Sequence, residues 1–210
     1  MRPSAGLDND RYMTGSRWIT RRMLFSAGLA FVIFASMVYT VRGPMRAHEA
    51  PRDFLLIYSA ARAWLGGGNP YDRQEQYAAY LTALDDTTRA LPDSVLDSLY
   101  PPTTFVMLTP LAAMDLKPAH MAWIGVNTAL VIIGMLALLR AARIDWTNPR
   151  GLLLLGLFLT MGPVHSAVTY GHLTLAVLAA LTLSYLALSR DHALPAGLLL
   201  GLAVATKPQL

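Results

Sequence analysis

MLFSAGLAFVIFASMVYTV, Met23 to Val41, contains no charged side chain, while Arg21 and Arg22 precede it and Arg42 follows. A hydrocarbon slab about 30 Å thick takes about 20 helical residues to cross, and this run has that length. A secretory leader would carry a shorter apolar region ending at a small-residue cleavage site, and no such ending stands before Arg42. The run therefore predicts an uncleaved first span. The polar tail 1–22, with Arg2, Arg11, Arg17, Arg21 and Arg22 against Asp8 and Asp10, is expected on the cytoplasmic side, where short arginine-rich flanks stay.

Working outward, the same pattern recurs. Met121–Leu139, Gly151–Val168 and Leu173–Leu188 are apolar runs, and Pro195–Ala205 begins another that is expected to be cut off within its helix. Of the 210 residues, 54% are hydrophobic and only 14% charged, so the long uncharged runs have no counterpart in a soluble core of this size. The fold class expected is all-α, a polytopic transmembrane helical protein. Its organisation is a tail (1–22), a first span (23–41), an outer loop with interfacial helices (42–120) and a helix bundle (121–210).

The formal charge of +4 comes from 17 Lys and Arg against 13 Asp and Glu. Its excess sits in the tail and in short loops flanking apolar runs, as juxtamembrane arginine does. No basic stripe interleaved with aromatics occurs, and nucleic acid is excluded as a partner. The chain has no cysteine, which removes thiolate metal sites, disulfides and a cysteine nucleophile.

The loop after the first span is patterned. Phe54, Ile57, Tyr58, Ala61, Trp64 and Leu65 recur at helical spacing and predict one apolar helix face. Asp53 is placed for an N-cap, and Gly66-Gly67-Gly68 for a stop. Asn69-Pro70 predicts a turn, and a second helix is expected from near Asp72 through Tyr77, Ala78, Tyr80 and Leu81. Such helices beside a span are expected at the membrane surface. TTFVMLTPLAAM, Thr103–Met114, is short for a span and contains Pro110; it predicts an interfacial or re-entrant helix. If it does not cross, Arg140, Arg143, Arg150 and Arg190 fall in the cytoplasm. The sixty-residue loop, Tyr170-Gly171-His172 and Lys207 then fall together outside.

Familiar catalytic spellings are missing. Gly66-Gly67-Gly68 lacks the Lys-Ser or Lys-Thr of a phosphate loop, Asp8-Asn9-Asp10 lies in a charged tail, and the five histidines never reach metal-ligand spacing. What remains is a set gathered on one membrane face: Asp53, Tyr58, Asn69, Tyr71, Tyr100, His172, Lys207 and Gln209, with Arg52 beside Asp53. Singly, each has a plain structural reading. Asp53 serves as a helix cap, Lys207 as a snorkelling side chain at a span end, His172 as an interfacial residue and Tyr100-Pro101-Pro102 as a turn.

RDFLLIYSAARAWLGGGNPYD, YPPTTFVMLTPLAAM, YGHLTLAVLAALTLSYLAL and AGLLLGLAVATKPQ, in that order between Arg52 and Leu210, together resemble the polyprenyl-phosphate-mannose-type glycosyltransferases of family 87, in the GT-C class. The resemblance implies a hexosyltransferase, mannosyltransferase-like, that moves a sugar from a polyprenyl phosphate carrier to a glycan or glycolipid acceptor at the outer face of the plasma membrane. It implies a catalytic base at Asp53, which occupies the place of the class's early-loop aspartate, and a family block at Lys207-Pro208-Gln209. Where the family often has Gly-Gln, this chain has Gly171-His172. Family members also continue for about as long again, so the chain is expected to be an N-terminal part.

The chemistry fits the residue types. Sugar transfer from a lipid phosphate needs a base at the acceptor hydroxyl and positive or donor groups at the leaving phosphate. Asp53 can supply the first, and Lys207, His172 or Arg52 the second. No cofactor and no metal is expected, although a scattered carboxylate site at Asp85 or Asp86 stays open. The alternative is a non-enzymatic polytopic protein, a transporter fragment or scaffold, or an inactive truncated transferase. A transporter would break its helices at mid-membrane, and His165 near Gly162-Pro163 is the candidate for that.

Overall fold

A computed structural model describes residues 9–47, 52–84 and 100–207, with side chains described from Thr20 onward apart from Arg52 and Leu84. Ten helices and no strand occur among the described residues. Two helices are long and apolar enough to cross a membrane, or three if a bent pair counts as one span.

α1 (Asn9–Arg42) continues N-terminally well beyond the apolar run. Nothing in the polar tail from Asn9 onward breaks a helix: it holds no proline, and a single glycine, Gly15. α2 (Pro44–Ala47) is a single turn. It leads to α3 (Arg52–Leu65) and α4 (Arg73–Leu84). α5 (Pro102–Ala112) is 11 residues long, about 16 Å at 1.5 Å per residue, so alone it cannot cross the slab. α6 (Leu116–Ala141) is the second long span, starting five residues before the apolar run that predicts it.

The apolar run Gly151–Val168 is not one helix. It divides into α7 (Pro149–Thr160) and α8 (Gly162–Tyr170), bent by 50°. Pro163 has no N–H to give the Leu159 carbonyl one turn back, and a bare carbonyl in hydrocarbon is costly. The Nε2 of His165, a side chain only 5% exposed, lies 2.6 Å from that carbonyl and replaces the missing donor. His165 is thus the seal of a helix break, buried among Tyr39, Val164 and Leu159. α9 (Thr174–Leu188) and α10 (Ala193–Thr206) are shorter apolar helices.

Small residues set the packing. α1 lies along α7, where a Cβ on Gly28 would come within 3.0 Å of Leu152 and one on Gly156 within 2.3 Å of Phe31. These pairs show that the two helices run parallel. Close approach through small residues is what brings helices together in lipid. α6 packs on α9 at Gly134, opposite Ala179, and α9 on α10, where the Ser184 hydroxyl donates to the Ala196 carbonyl at 2.7 Å.

α3 is built into the core by its apolar face: Phe54, Ile57, Tyr58, Ala60 and Ala61 are all nearly fully buried against Phe105, Leu108, Ala112 and Trp123. Trp64 and Leu65, expected on the same apolar face, are 42% and 47% exposed because α3 outruns its partner α5 there. Gly67 ends the helix at φ +81°. Its N–H bonds the Trp64 carbonyl at 3.0 Å, and that of Gly68 bonds Ala63 at 2.9 Å, the paired bonds of a glycine-terminated helix.

Candidate active site

Contacts bring the start of α3, the segment before α5, the first turns of α6, the end of α8 and the start of α9 together at Asp53, and Lys207 after α10 joins them through Thr174. Asp53 is not the N-cap but lies within the first turn of α3, where the helix dipole favours a carboxylate. Its Oδ2 is 3.4 Å from Nε2 of His172, with both side chains about one-third accessible. That spacing is long for a hydrogen bond and leaves both groups open to a third molecule.

Three contacts build the meeting of these two residues. Gly171 ends α8 at φ +75°. The N–H of His172 then bonds the Ala167 carbonyl at 2.8 Å, which fixes where the imidazole leaves the backbone. Trp123 Nε1 donates to the Gly171 carbonyl at 3.0 Å. Finally Phe54, the neighbour of Asp53, packs so closely that a Cβ on Gly171 would stand 2.7 Å from its own Cβ. Phe54 also stacks on His120 and Trp123 at centroid distances of 5.1 and 6.1 Å. The ring of Tyr170 lies 5.8 Å from that of His172.

Lys207 follows α10 and donates from Nζ to Oγ1 of Thr174 at 2.9 Å, two residues beyond His172. The end of α10 is held by α5. Thr104 Oγ1 donates to the Thr206 carbonyl at 3.0 Å, and the Thr103 hydroxyl bonds the Ala205 carbonyl. The last carbonyls of a helix lack partners within it, and two hydroxyls from a distant segment satisfy them here.

Tyr100 stands beside α5 with its phenol near Asp53. Burial, and secondarily the Asp53 carboxylate, push its pKa up to about 12, so it is a neutral donor at any physiological pH. Its carbonyl accepts from the Tyr71 hydroxyl at 2.9 Å, and the Tyr71 ring sets its edge to Phe105 at 5.6 Å. Tyr71 thus clasps the turn after α3 to the start of α5.

Two expected site residues serve the scaffold. Tyr58 is buried, donates to the Met114 carbonyl at 2.7 Å and accepts from Arg62 Nη1 at 2.9 Å. Burial raises its phenol pKa, with Arg62 opposing. Asn69 builds the turn: its Oδ1 accepts from the Tyr71 N–H at 3.0 Å, and its own N–H donates to Glu75 at 2.7 Å. Arg52 opens α3, and its side chain, like Gln209, Asp85 and Asp86, lies outside the described residues.

Thr104, Trp123, Arg62 and Thr174 support the site as well. Arg62 had a signal in the sequence, being four residues from Tyr58 and so on the same helix face. The others depend on contacts between helices distant in sequence.

Set beside known proteins, residues 99–210 match the sequence profile of Glycosyltransferase family 87. No curated protein and no solved structure matches the chain. The matched region holds Tyr100, Thr104, Trp123, His172 and Lys207, and Asp53 reaches it from outside through Phe54 and Gly171. More than half of the chain carries the family's pattern on an all-helical fold with membrane-spanning helices, and the protein belongs to glycosyltransferase family 87.

Proposed function

We propose that the protein transfers a hexose, mannose in type, from a polyprenyl phosphate carrier to a glycan or glycolipid acceptor. The reaction takes place at the outer face of the plasma membrane, and the N-terminus is cytoplasmic. Asp53 takes the proton of the acceptor hydroxyl. The acceptor oxygen bonds to the anomeric carbon of the sugar as the bond from that carbon to the phosphate oxygen breaks. Polyprenyl phosphate leaves with the electron pair and added negative charge. Lys207 and His172 receive that charge, with Arg52 and Gln209 as further groups on the phosphate side and Tyr100 as a neutral donor to the sugar. Stabilising charge only where it develops is what lowers the barrier.

The observation that carries this reading is the 3.4 Å approach of the Asp53 carboxylate to His172, both open to solvent. A buried ion pair would speak for scaffold, whereas two accessible groups at that distance leave room for substrate. Placement of the pair at the ends of apolar helices supports a donor whose hydrocarbon tail stays in lipid.

The test is to reconstitute the protein in vesicles and offer radiolabelled polyprenyl phosphate mannose and nucleotide-linked mannose side by side. Transfer to a lipid or glycan acceptor from the first donor alone is expected. Transfer from the nucleotide sugar alone would overturn the choice of carrier.

A further inference from the structure

The far end of α1 from Asp53 carries a second feature. Arg21, Arg22, Phe25 and Ser26 of α1, with Thr147 before α7 and Pro149 at its start, line a half-open cleft of about 560 Å³. It opens where α1 and α7 part, beyond the tight contact at Gly28 and Leu152. Arg150 follows Pro149 in the same corner. The acidic residue of this loop, Asp145, is engaged within it: its carboxylate accepts the Thr147 N–H at 2.9 Å, which holds it below the usual carboxylate range. Guanidinium groups match phosphate oxygens in geometry as well as charge, and Ser26 adds a hydroxyl donor, while the Thr147 hydroxyl is shared with the Asp145 carboxylate.

An exposed apolar stripe leads away from this cleft. Phe25, Leu29 and Ile33 follow Arg22 along one side of α1 and are 38%, 44% and 51% exposed. Eleven residues make three helical turns, so Ile33 lies almost straight below Arg22 at about 16 Å. That is about half of a 30 Å slab, the depth of one leaflet. The opposite side of α1, at Phe31 and Ala35, faces the bundle.

We propose that this corner binds an anionic phospholipid: its headgroup phosphate sits among Arg21, Arg22, Ser26 and Thr147, and one acyl chain lies along Phe25, Leu29 and Ile33. Charge complementarity selects the headgroup, and the stripe selects a lipid over a soluble phosphate. The site is independent of sugar transfer, being at the other end of the span.

The test uses the whole chain in phosphatidylcholine nanodiscs doped with phosphatidylglycerol, with retained lipid counted by native mass spectrometry. At about 1 kcal/mol per arginine near the surface, two arginines give about tenfold to thirtyfold preference for phosphatidylglycerol. R21Q/R22Q is expected to bring retention to parity and R21K/R22K to keep most of it. Equal retention of the two lipids by the unmodified protein would overturn the proposal, and that measurement needs no variant to fold. Displacement of the lipid by millimolar glycerol phosphate would also overturn it, as a phosphate site without a lipid.

Discussion

Thr104 Oγ1 donates to the Thr206 carbonyl at 3.0 Å, joining residues 102 positions apart in the chain. Both threonines are buried, at 0% and 2% exposure. Through this bond the start of α5 holds the end of α10, and with it Lys207 beside Thr174.

Thr104→Val keeps the shape of the side chain and leaves the Thr206 carbonyl without this donor. A buried acceptor left unsatisfied costs about 1–3 kcal/mol. A lower unfolding temperature in detergent is expected, together with weaker donor binding as Lys207 loses its mooring. Unchanged stability would show that the bond carries nothing.

Gly171→Ala meets two obstacles at once, a backbone at φ +75° and a Phe54 Cβ 2.7 Å away. Strain of this kind costs about 1–3 kcal/mol, and relieving it pushes α3 from the α8–α9 corner. Loss of stability is expected along with loss of transfer. A stable, fully active variant would contradict the described approach of Asp53 to His172.

Tyr100 is expected to titrate near pH 12, measured by phenolate absorbance against a Tyr100→Phe reference. Its pKa is raised above the ordinary 10.0 of a tyrosine, so the stability it confers is fully present below pH 10 and is lost as pH rises through about 12. Asp53→Asn should lower the value only in part, because burial is the larger cause.

Much of this architecture was legible in the residues. Long uncharged runs can be little else than spans, and the glycines after Leu65 and the proline at Pro102 set helix ends by local backbone rules. The break at Met161 was harder. Gly162-Pro163 signals one, yet composition alone cannot say whether a neighbour repairs the lost hydrogen bond, and His165 does so. The placing of Tyr58 as a scaffold residue was beyond sequence too, because a tyrosine in an apolar stripe serves a core or a pocket equally well until its hydroxyl partners are seen. For the site, residue types pointed to Asp53, His172 and Lys207. Their approach depends on Gly171, Trp123 and Thr104, whose contacts span tens of residues.

Orientation is open to direct measurement. A reporter fused at Asp145 is expected to read cytoplasmic and one at Asp85 external, since arginines of short loops stay inside. An external signal at Asp145 would reverse the assignment of the two bundle ends.

The most direct measurement is transfer by Asp53→Asn, assayed with polyprenyl phosphate mannose alongside donor binding. The account predicts turnover lower by about a hundredfold or more, the usual contribution of a general base, with donor binding and membrane insertion within about twofold of the unmodified protein. Turnover retained at its original rate would contradict a base at Asp53 and with it the proposed mechanism.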